Sequence, residues 1–184
     1  MKKIENAVRD IIEALGEDPT REGLKDTPKR VAKMYAELCG GYKQKALDVV
    51  KVFFQEESYD EIVLVKDIPV YSLCEHHMIP FFGKAHVAYI PRENKITGLS
   101  KIGRVVDVFA RRLQLQERMT KQVAEAIHEA LDPIGVMVVV EAEHFCMTMR
   151  GIKKAGSQTV TSSLKGVFME DPMARAEALA LIKS

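Results

Sequence analysis

The sequence predicts an α+β domain: helices first, then strands paired around two central helices, then a closing helix. Three observations predict it. Apolar residues recur at helical spacing before residue 41. Val- and Ile-rich runs bounded by turn residues follow at 61–70 and 83–91, then a long apolar run at 135–150 and a Thr- and Ser-rich one at 158–168. Between those pairs lie two further segments, 100–113 and 118–131, with apolar residues on one helical face. Strand pairs with helices laid on one face of an antiparallel sheet make an α+β fold of order β-β-α-α-β-β.

In the first segment Ile4, Val8, Ile11, Ile12 and Leu15 share a face, and Gly16 follows as a stop. A second helix opens at Asp26-Thr27-Pro28, with Thr27 as cap and Pro28 in the first turn, and ends at Gly40-Gly41. Both apolar stripes are narrow, so these helices are expected to pack on the main domain or on another subunit. The pattern changes near Glu61, which divides the chain into an N-terminal helical region, 1–58, and a second domain, 59–184. There Ile102, Val105, Val106, Phe109 and Leu113 mark one helix, and Val123, Ile127, Ala130 and Leu131 the next. A helix over 173–182 closes the chain. Long strands leave sheet edges to protect, and closing a barrel between subunits is one remedy.

Composition bounds the function. A chain of 184 residues can bury one good core. Its 27 basic and 26 acidic residues nearly cancel, which argues against bulk electrostatic binding to nucleic acid or membrane. The N-terminal stretch mixes acids with bases and lacks the apolar core of a signal peptide, and the apolar run at 134–140 is too short to cross a bilayer. Three cysteines do not suggest a disulfide framework, so the expectation is a reducing cytoplasm in which thiols are free to bind metal.

Two segments concentrate metal-binding side chains. Cys74-Glu75-His76-His77 follows the first strand, and its C-x-x-H spacing lets one turn present two ligands to one ion. His144-Phe145-Cys146 falls inside the long strand, where residues two apart point to the same face. Together they offer zinc two thiolates and an imidazole, with at least one histidine left over. If Cys74, His77 and Cys146 are the ligands, a fourth position stays open to water, whose pKa then falls to about 7 from about 15.7. His76 and His144 would stand beside it as proton carriers. A closed structural zinc site is the alternative. Cys39 reads as a packed thiol, and His86 and His128 as groups at the surface or behind the site.

Two more segments suit a nucleotide. In Gly98-Leu99-Ser100-Lys101-Ile102-Gly103-Arg104, Ser100 is placed to cap a helix whose first N–H groups attract an anion, with Lys101 and Arg104 in the same first turn. A solvated basic face is the plainer reading. In Gln114-Leu115-Gln116-Glu117-Arg118, the default role of Glu117 is an acid in the first turn of a helix. Alternatively its carboxylate accepts the N1–H and N2–H of a guanine edge, a pairing adenine does not offer.

With these segments in hand the chain resembles the type I GTP cyclohydrolases. The matching stretches are SLCEHHMIPFFGKAHVAYIP, GLSKIGRVVDVFARRLQLQERMT, EHFCMTMRG and SQTVTSSLKGVF. The resemblance implies that Cys74, His77 and Cys146 hold a catalytic zinc ion, and that His76 and His144 transfer protons. It implies that Glu117 anchors guanine with Gln116 beside it in the pocket. Ser100, Lys101, Arg104 and Arg150 match groups around the triphosphate and ribose, and Arg30 and Lys33 match basic residues reaching the triphosphate.

The implied fold is the tunnelling fold for 59–184, assembled as a homodecamer of two stacked pentamers with sites where subunits meet. The implied reaction hydrolyses the imidazole ring of GTP at C8. It releases formate and gives 7,8-dihydroneopterin triphosphate, the first step of folate and pterin biosynthesis. Ser100 would assist the opening and rearrangement of the ribose. The N-terminal arm is short, so regulation through a long extension is not expected. A nitrile reductase of the same fold and a non-catalytic zinc-stabilised module are the rival readings; the first needs a nucleophilic cysteine and a nicotinamide cofactor, which neither C-E-H-H nor H-x-C suggests.

Overall fold

The computed structural model describes residues 1–50 and 59–184. They form two compact units, Met1–Gly40 and Gly41–Ser184. The boundary expected between 58 and 59 falls at the end of residues 51–58, outside the described residues.

The first unit is a helix pair. α1 (Lys2–Ala14) buries Ile12 with Ile4 and Val8 half-buried, and it stops where Gly16 takes a φ of +84°, open to glycine at no steric cost. Ile11 and Leu15, expected on the buried stripe, are exposed on this unit. α2 (Thr27–Leu38) carries Pro28 in its first turn and buries Ala32. Asp26 holds the cap position without a side-chain bond, so Thr27 begins the helix rather than capping it.

After a 3-10 turn at Gly40–Lys43, the second unit has a single helical turn, α3 (Ala46–Val49), and continues with β1 (Val63–Cys74) and β2 (Pro80–Ile90). Next come α4 (Leu99–Ala110), the short β3 (Leu113–Gln114) and α5 (Gln116–Leu131). β4 (Gly135–His144), the turn α6 (Phe145–Thr148) and β5 (Gln158–Gly166) follow, then α7 (Val167–Glu170) and α8 (Pro172–Lys183). The sheet order is β3-β1-β2-β4-β5. Its four long strands are antiparallel as expected, but β3 runs parallel to β1 at Leu73 and Cys74, so the sheet is mixed. β1 runs four residues beyond its expected end, which makes Cys74 the last residue of a strand. Leu113 belongs to β3 rather than to the preceding helix.

Alternation along the strands sorts the core onto two faces. Val70, Phe81, Ala85, Val87, Tyr89, Val136, Val138 and Val140 pack with Ile102, Val105, Met119, Val123 and Ile127 of α4 and α5. On the opposite face Ala88, Met137 and Val139 pack with Phe168 and Ala178 of the C-terminal helices. Helices therefore cover one face and part of the other, not one face alone. Gly83 allows β2 and β4 to meet closely: a Cβ there would collide with the Glu141 carbonyl oxygen. No helix among the described residues is long and apolar enough to cross a membrane.

His86 is not a surface group. It is 4% exposed and accepts the Asp67 N–H on Nδ1 at 3.2 Å, where β1 bulges and Asp67 takes a φ of +58°. Burial pushes its imidazole below the ordinary 6.5, against the opposing charges of Glu141 and Asp67, while Lys84 and Lys66 add to the lowering. The unfolded chain then binds the proton more readily than the folded one, so stability falls as pH drops through and below 6.5. His86→Gln keeps an acceptor for the Asp67 N–H but does not titrate. Its thermal midpoint is expected to fall less than that of the unaltered chain between about pH 7.5 and about pH 5, measured at one protein concentration.

Candidate active site

The site is built where β1 and β4 end. Beyond Cys74 the chain reverses through Glu75, His76 and His77, held by bonds from Cys74 N to Ile79 O (2.9 Å) and Met78 N to Cys74 O (2.8 Å). Met78 adopts a φ of +54° to complete the turn. Glu75 N donates to Gln114 O at 3.0 Å, so β3 braces the turn from outside. The Cys74 sulfur then lies 3.8 Å from His77 Nδ1.

β4 stops at His144, earlier than expected. Cys146 does not share a strand face with His144; it sits on α6, a single helical turn in which the one hydroxyl hydrogen of Thr148 is within reach of both the His144 carbonyl (3.0 Å) and Glu143 Oε1 (3.1 Å). Pairing with β2 ends at Phe81–His144 and with β5 at Glu143–Gln158, so among the described residues nothing extends the strand further. The turn brings Cys146 to the other two predicted ligands: one ligand atom from each of Cys74, His77 and Cys146 lies within 4.8 Å of the others. Cys74 is buried, Cys146 half-buried and His77 exposed. Burial pushes the Cys146 thiol up, and the neighbouring Cys74 adds to it. Two thiols this close resist ionising together unless a cation sits between them, and a donor set of two sulfurs and one imidazole suits zinc.

The cluster opens on a pocket of about 210 Å³ whose lining includes Cys74, Cys146, His76, His144, Gln116 and Glu117. Three of the four predicted segments thus converge within one chain. Glu117, exposed, lies in the first turn of α5 as expected. His144 stacks on Phe81 with ring centroids 4.6 Å apart and planes 10° from parallel. Its Nε2 lies 2.7 Å from Gln116 Oε1. Burial lowers the affinity of His144 for a proton, with the charge of Glu117 opposing. Gln116 is 1% exposed, and both ends of its amide meet groups of the protein itself.

The cations expected around a triphosphate are placed differently. Arg150 Nη1 donates to His77 Nε2 at 3.0 Å, beside the cluster. Ser100 and Lys101 lie in the first turn of α4 and Arg104 in the second, and none of the three is among the residues lining this pocket. Gly98, not Ser100, occupies the cap position there. Arg30 and Lys33 belong to the first unit, exposed on α2, with Arg30 3.8 Å from Asp26. Cys39 is half-buried and its thiol is pushed up by burial.

Sequence reasoning missed the ion pair that ties the metal turn to α5. Arg118 grips both oxygens of Glu75: Nη1 meets Oε2, and Nη2 meets Oε1 at 2.9 Å. This pair holds the Glu75 carboxyl below the usual carboxylate range. The partners are 43 residues apart, and no spacing rule links them.

Fold and site together define an α+β protein whose pocket joins a two-sulfur, one-imidazole cluster able to hold a metal ion to a carboxylate and an imidazole. The family model described as GTP cyclohydrolase I matches residues 4–183. The chain is 64% identical to GTP cyclohydrolase 1 of Geobacillus kaustophilus over 182 residues, 99% of this chain and 96% of that one. It is 63% identical to GTP cyclohydrolase 1 of Carboxydothermus hydrogenoformans over 181 residues, 98% and 94% of the two chains. It is 61% identical to that of Bacillus subtilis over 182 residues, 99% and 95%. The chain belongs to the GTP cyclohydrolase I family and is an enzyme of that family. The crystal structure of the archaeosine synthase QueF-Like in its apo form matches in fold alone, with a TM-score of 0.50 and 20% identity over 59% of this chain and 97% of that one.

Cys146→Ser is expected to reduce bound zinc from about one ion per chain to a small fraction of that, because a serine hydroxyl does not replace a thiolate at this site. Metal analysis of the purified variant checks this, with circular dichroism to show that it folds. Full zinc content would remove Cys146 from the ligand set.

Proposed function

We propose that this chain hydrolyses the imidazole ring of GTP at C8, releasing formate and forming 7,8-dihydroneopterin triphosphate. The observation that carries the reading is one pocket lined by Cys74 and Cys146 of the Cys74–His77–Cys146 cluster together with Glu117 and His144. A zinc ion on those three ligands would supply, when bound, a water acidified to about pKa 7 from about 15.7.

The rest is work for the chain's own residues. The Glu117 carboxylate accepts N1–H and N2–H of guanine, which fixes the base and rejects adenine. His144 hands a proton to N7 as the C8–N bond opens, and His76, exposed at the pocket rim, exchanges protons with solvent. Two waters enter as the ring opens and formate leaves, and one water is expelled when the pterin ring closes onto the ribose carbons. Ser100 assists the opened ribose. Lys101, Arg104, Arg150, Arg30 and Lys33 hold the triphosphate, so that binding energy from the far end of the substrate orients C8.

The proposed assembly is a homodecamer of two stacked pentamers with a tunnelling-type fold in 59–184. Two features support a closed oligomer. Among the described residues, β5 has no strand on its outer side, and β1 is covered there only at Leu73 and Cys74. Tyr71 (69%) and Val160 (60%) are also exposed on the sheet. We also propose a cytoplasmic location, in keeping with three free thiols. The nitrile-reductase alternative is disfavoured by the pocket's cysteines, since Cys74 and Cys146 both belong to the cluster and neither is spare as a nucleophile.

Purified zinc-loaded protein given GTP is expected to release formate and to yield a pterin that fluoresces after oxidation. Protein with confirmed zinc that makes neither refutes the assignment. Chelation is expected to abolish turnover while the oligomer stays folded, and added zinc to restore it; unfolding on chelation points instead to a structural ion. Glu117→Ala is expected to lower kcat/KM for GTP by at least about a hundredfold, and an unchanged value rejects the guanine anchor.

A further inference from the structure

We propose that Gln116 is a positioning residue that fixes which nitrogen of His144 carries the hydrogen: Nε2 is the N–H, and Nδ1 is left as the nitrogen that exchanges a proton with the substrate. The inference deepens the reading of His144 as the proton carrier and rests on it.

Gln116 opens α5 and is 1% exposed. Its Nε2 lies 2.9 Å from the Val140 carbonyl, 2.9 Å from the Thr159 carbonyl and 3.1 Å from Thr161 Oγ1. Carbonyl oxygens only accept, so this end of the side chain must be the amino group. Turning the amide over would set Oε1 against two carbonyl oxygens in a buried site, leaving acceptors unpaired and repelling one another. The hydroxyls agree. Thr120 Oγ1 gives its single hydrogen to the Gln116 carbonyl at 2.7 Å. In the 2.7 Å contact between Thr120 and Thr161, Thr161 must therefore be the donor, and its oxygen remains able to accept from Gln116.

With the amide orientation fixed, Oε1 faces His144 Nε2 at 2.7 Å. An amide oxygen has no hydrogen to give, so the ring nitrogen must donate. A neutral imidazole has one N–H, which leaves Nδ1 with its lone pair and, among the described residues, no protein hydrogen bond. Phe81, stacked on the ring at 4.6 Å, holds the plane in which this is decided. Gln116 thus has a different task from its neighbour Glu117. Its amide seams α5 to β4 and β5 and presents one defined tautomer to the pocket.

Neutron diffraction on crystals of the zinc-loaded enzyme, exchanged into heavy water at mildly alkaline pH where an imidazole is neutral, reads the arrangement directly. The expected map has deuterium on His144 Nε2, none on His144 Nδ1, and the Gln116 amino group toward Val140 and Thr159. Deuterium on Nδ1, or a reversed amide, overturns the proposal. Kinetics give a second reading. Gln116→Met, which keeps the volume without polar atoms, is expected to lower kcat for GTP by about tenfold to about a hundredfold with KM within about twofold, at unchanged zinc content. An unchanged kcat, or a KM raised by more than about tenfold as for a lost base contact, counts against it. If that variant does not fold, the neutron map of the unaltered enzyme decides alone. His144→Asn separates the two claims: unimpaired turnover there removes His144 from the proposed reaction, whereas deuterium on Nδ1 removes the tautomer and leaves GTP hydrolysis standing.

Discussion

The pairings of Leu73 with Pro80 and of Phe81 with His144 put the C-terminal ends of β1 and β4 at the same end of the sheet. Everything in the site follows from that register. Cys74 and His77 arrive on the turn after β1, Cys146 on the turn after β4, and β2 lies between as the spacer. Side chains alternate with a period of two, so a slip of one residue would turn His144 away from Phe81 and move Cys74 from the core face to the other side. Gly83, one step from Phe82 in the spacer strand, lets β2 and β4 approach closely enough to keep the register. The same core that stabilises the sheet therefore sets the metal geometry.

A second dependence runs through the start of α5. Arg118 clamps Glu75 in the metal turn, Gln114 in β3 braces its backbone, and Gln116 bonds to β4 and β5. Glu117 stands between Gln116 and Arg118 with its side chain in the pocket. One helical turn thus carries both the anchor proposed for the base and the fastenings of the two elements that bear the metal ligands. Displacing it would disturb the base position, the metal turn and the His144 ring together. Rigid second contacts of this kind convert a cluster of suitable residue types into a defined geometry.

Much of this was legible in the sequence wherever the signal was local. The order of the long strands and helices followed from periodicity, and C-x-x-H with H-x-C named the three residues that the fold brings within 4.8 Å. The misreadings have physical reasons. Phe145 and Met147 continue an apolar alternation beyond His144, so the pattern imitates a strand that, among the described residues, has no partner on either side. A two-residue strand such as β3 has no periodicity to detect. Ile11 and Leu15 look like core residues on α1 yet are exposed on their unit, as expected of apolar side chains that wait for another surface. The fastenings were invisible for another reason. Gln116 reaches residues 24 to 45 positions away and Arg118 reaches one 43 away, and only the fold places them together.

The division of labour between cluster and cations bears on why an assembly would be needed. Cys74, His77 and Cys146, together with Glu117, the anchor proposed for guanine, converge within one chain because one sheet register and one helix turn place them. Ser100, Lys101 and Arg104 sit at the start of α4, outside the pocket lining, and the chain's net charge is only +1. A triphosphate carries several negative charges, and holding it takes a local concentration of cations that this pocket lining does not contain. A neighbouring copy could bring its own α4 turn to the mouth of the pocket, and the lengths of β1 and β5 that have no partner strand among the described residues are the edges at which such a copy would pair. Closing the sheets between copies would then protect the edges and complete the anion site in one step. On that account the near-neutral composition is no obstacle to binding a polyanion, because positive charge is gathered by symmetry rather than carried in excess by each chain.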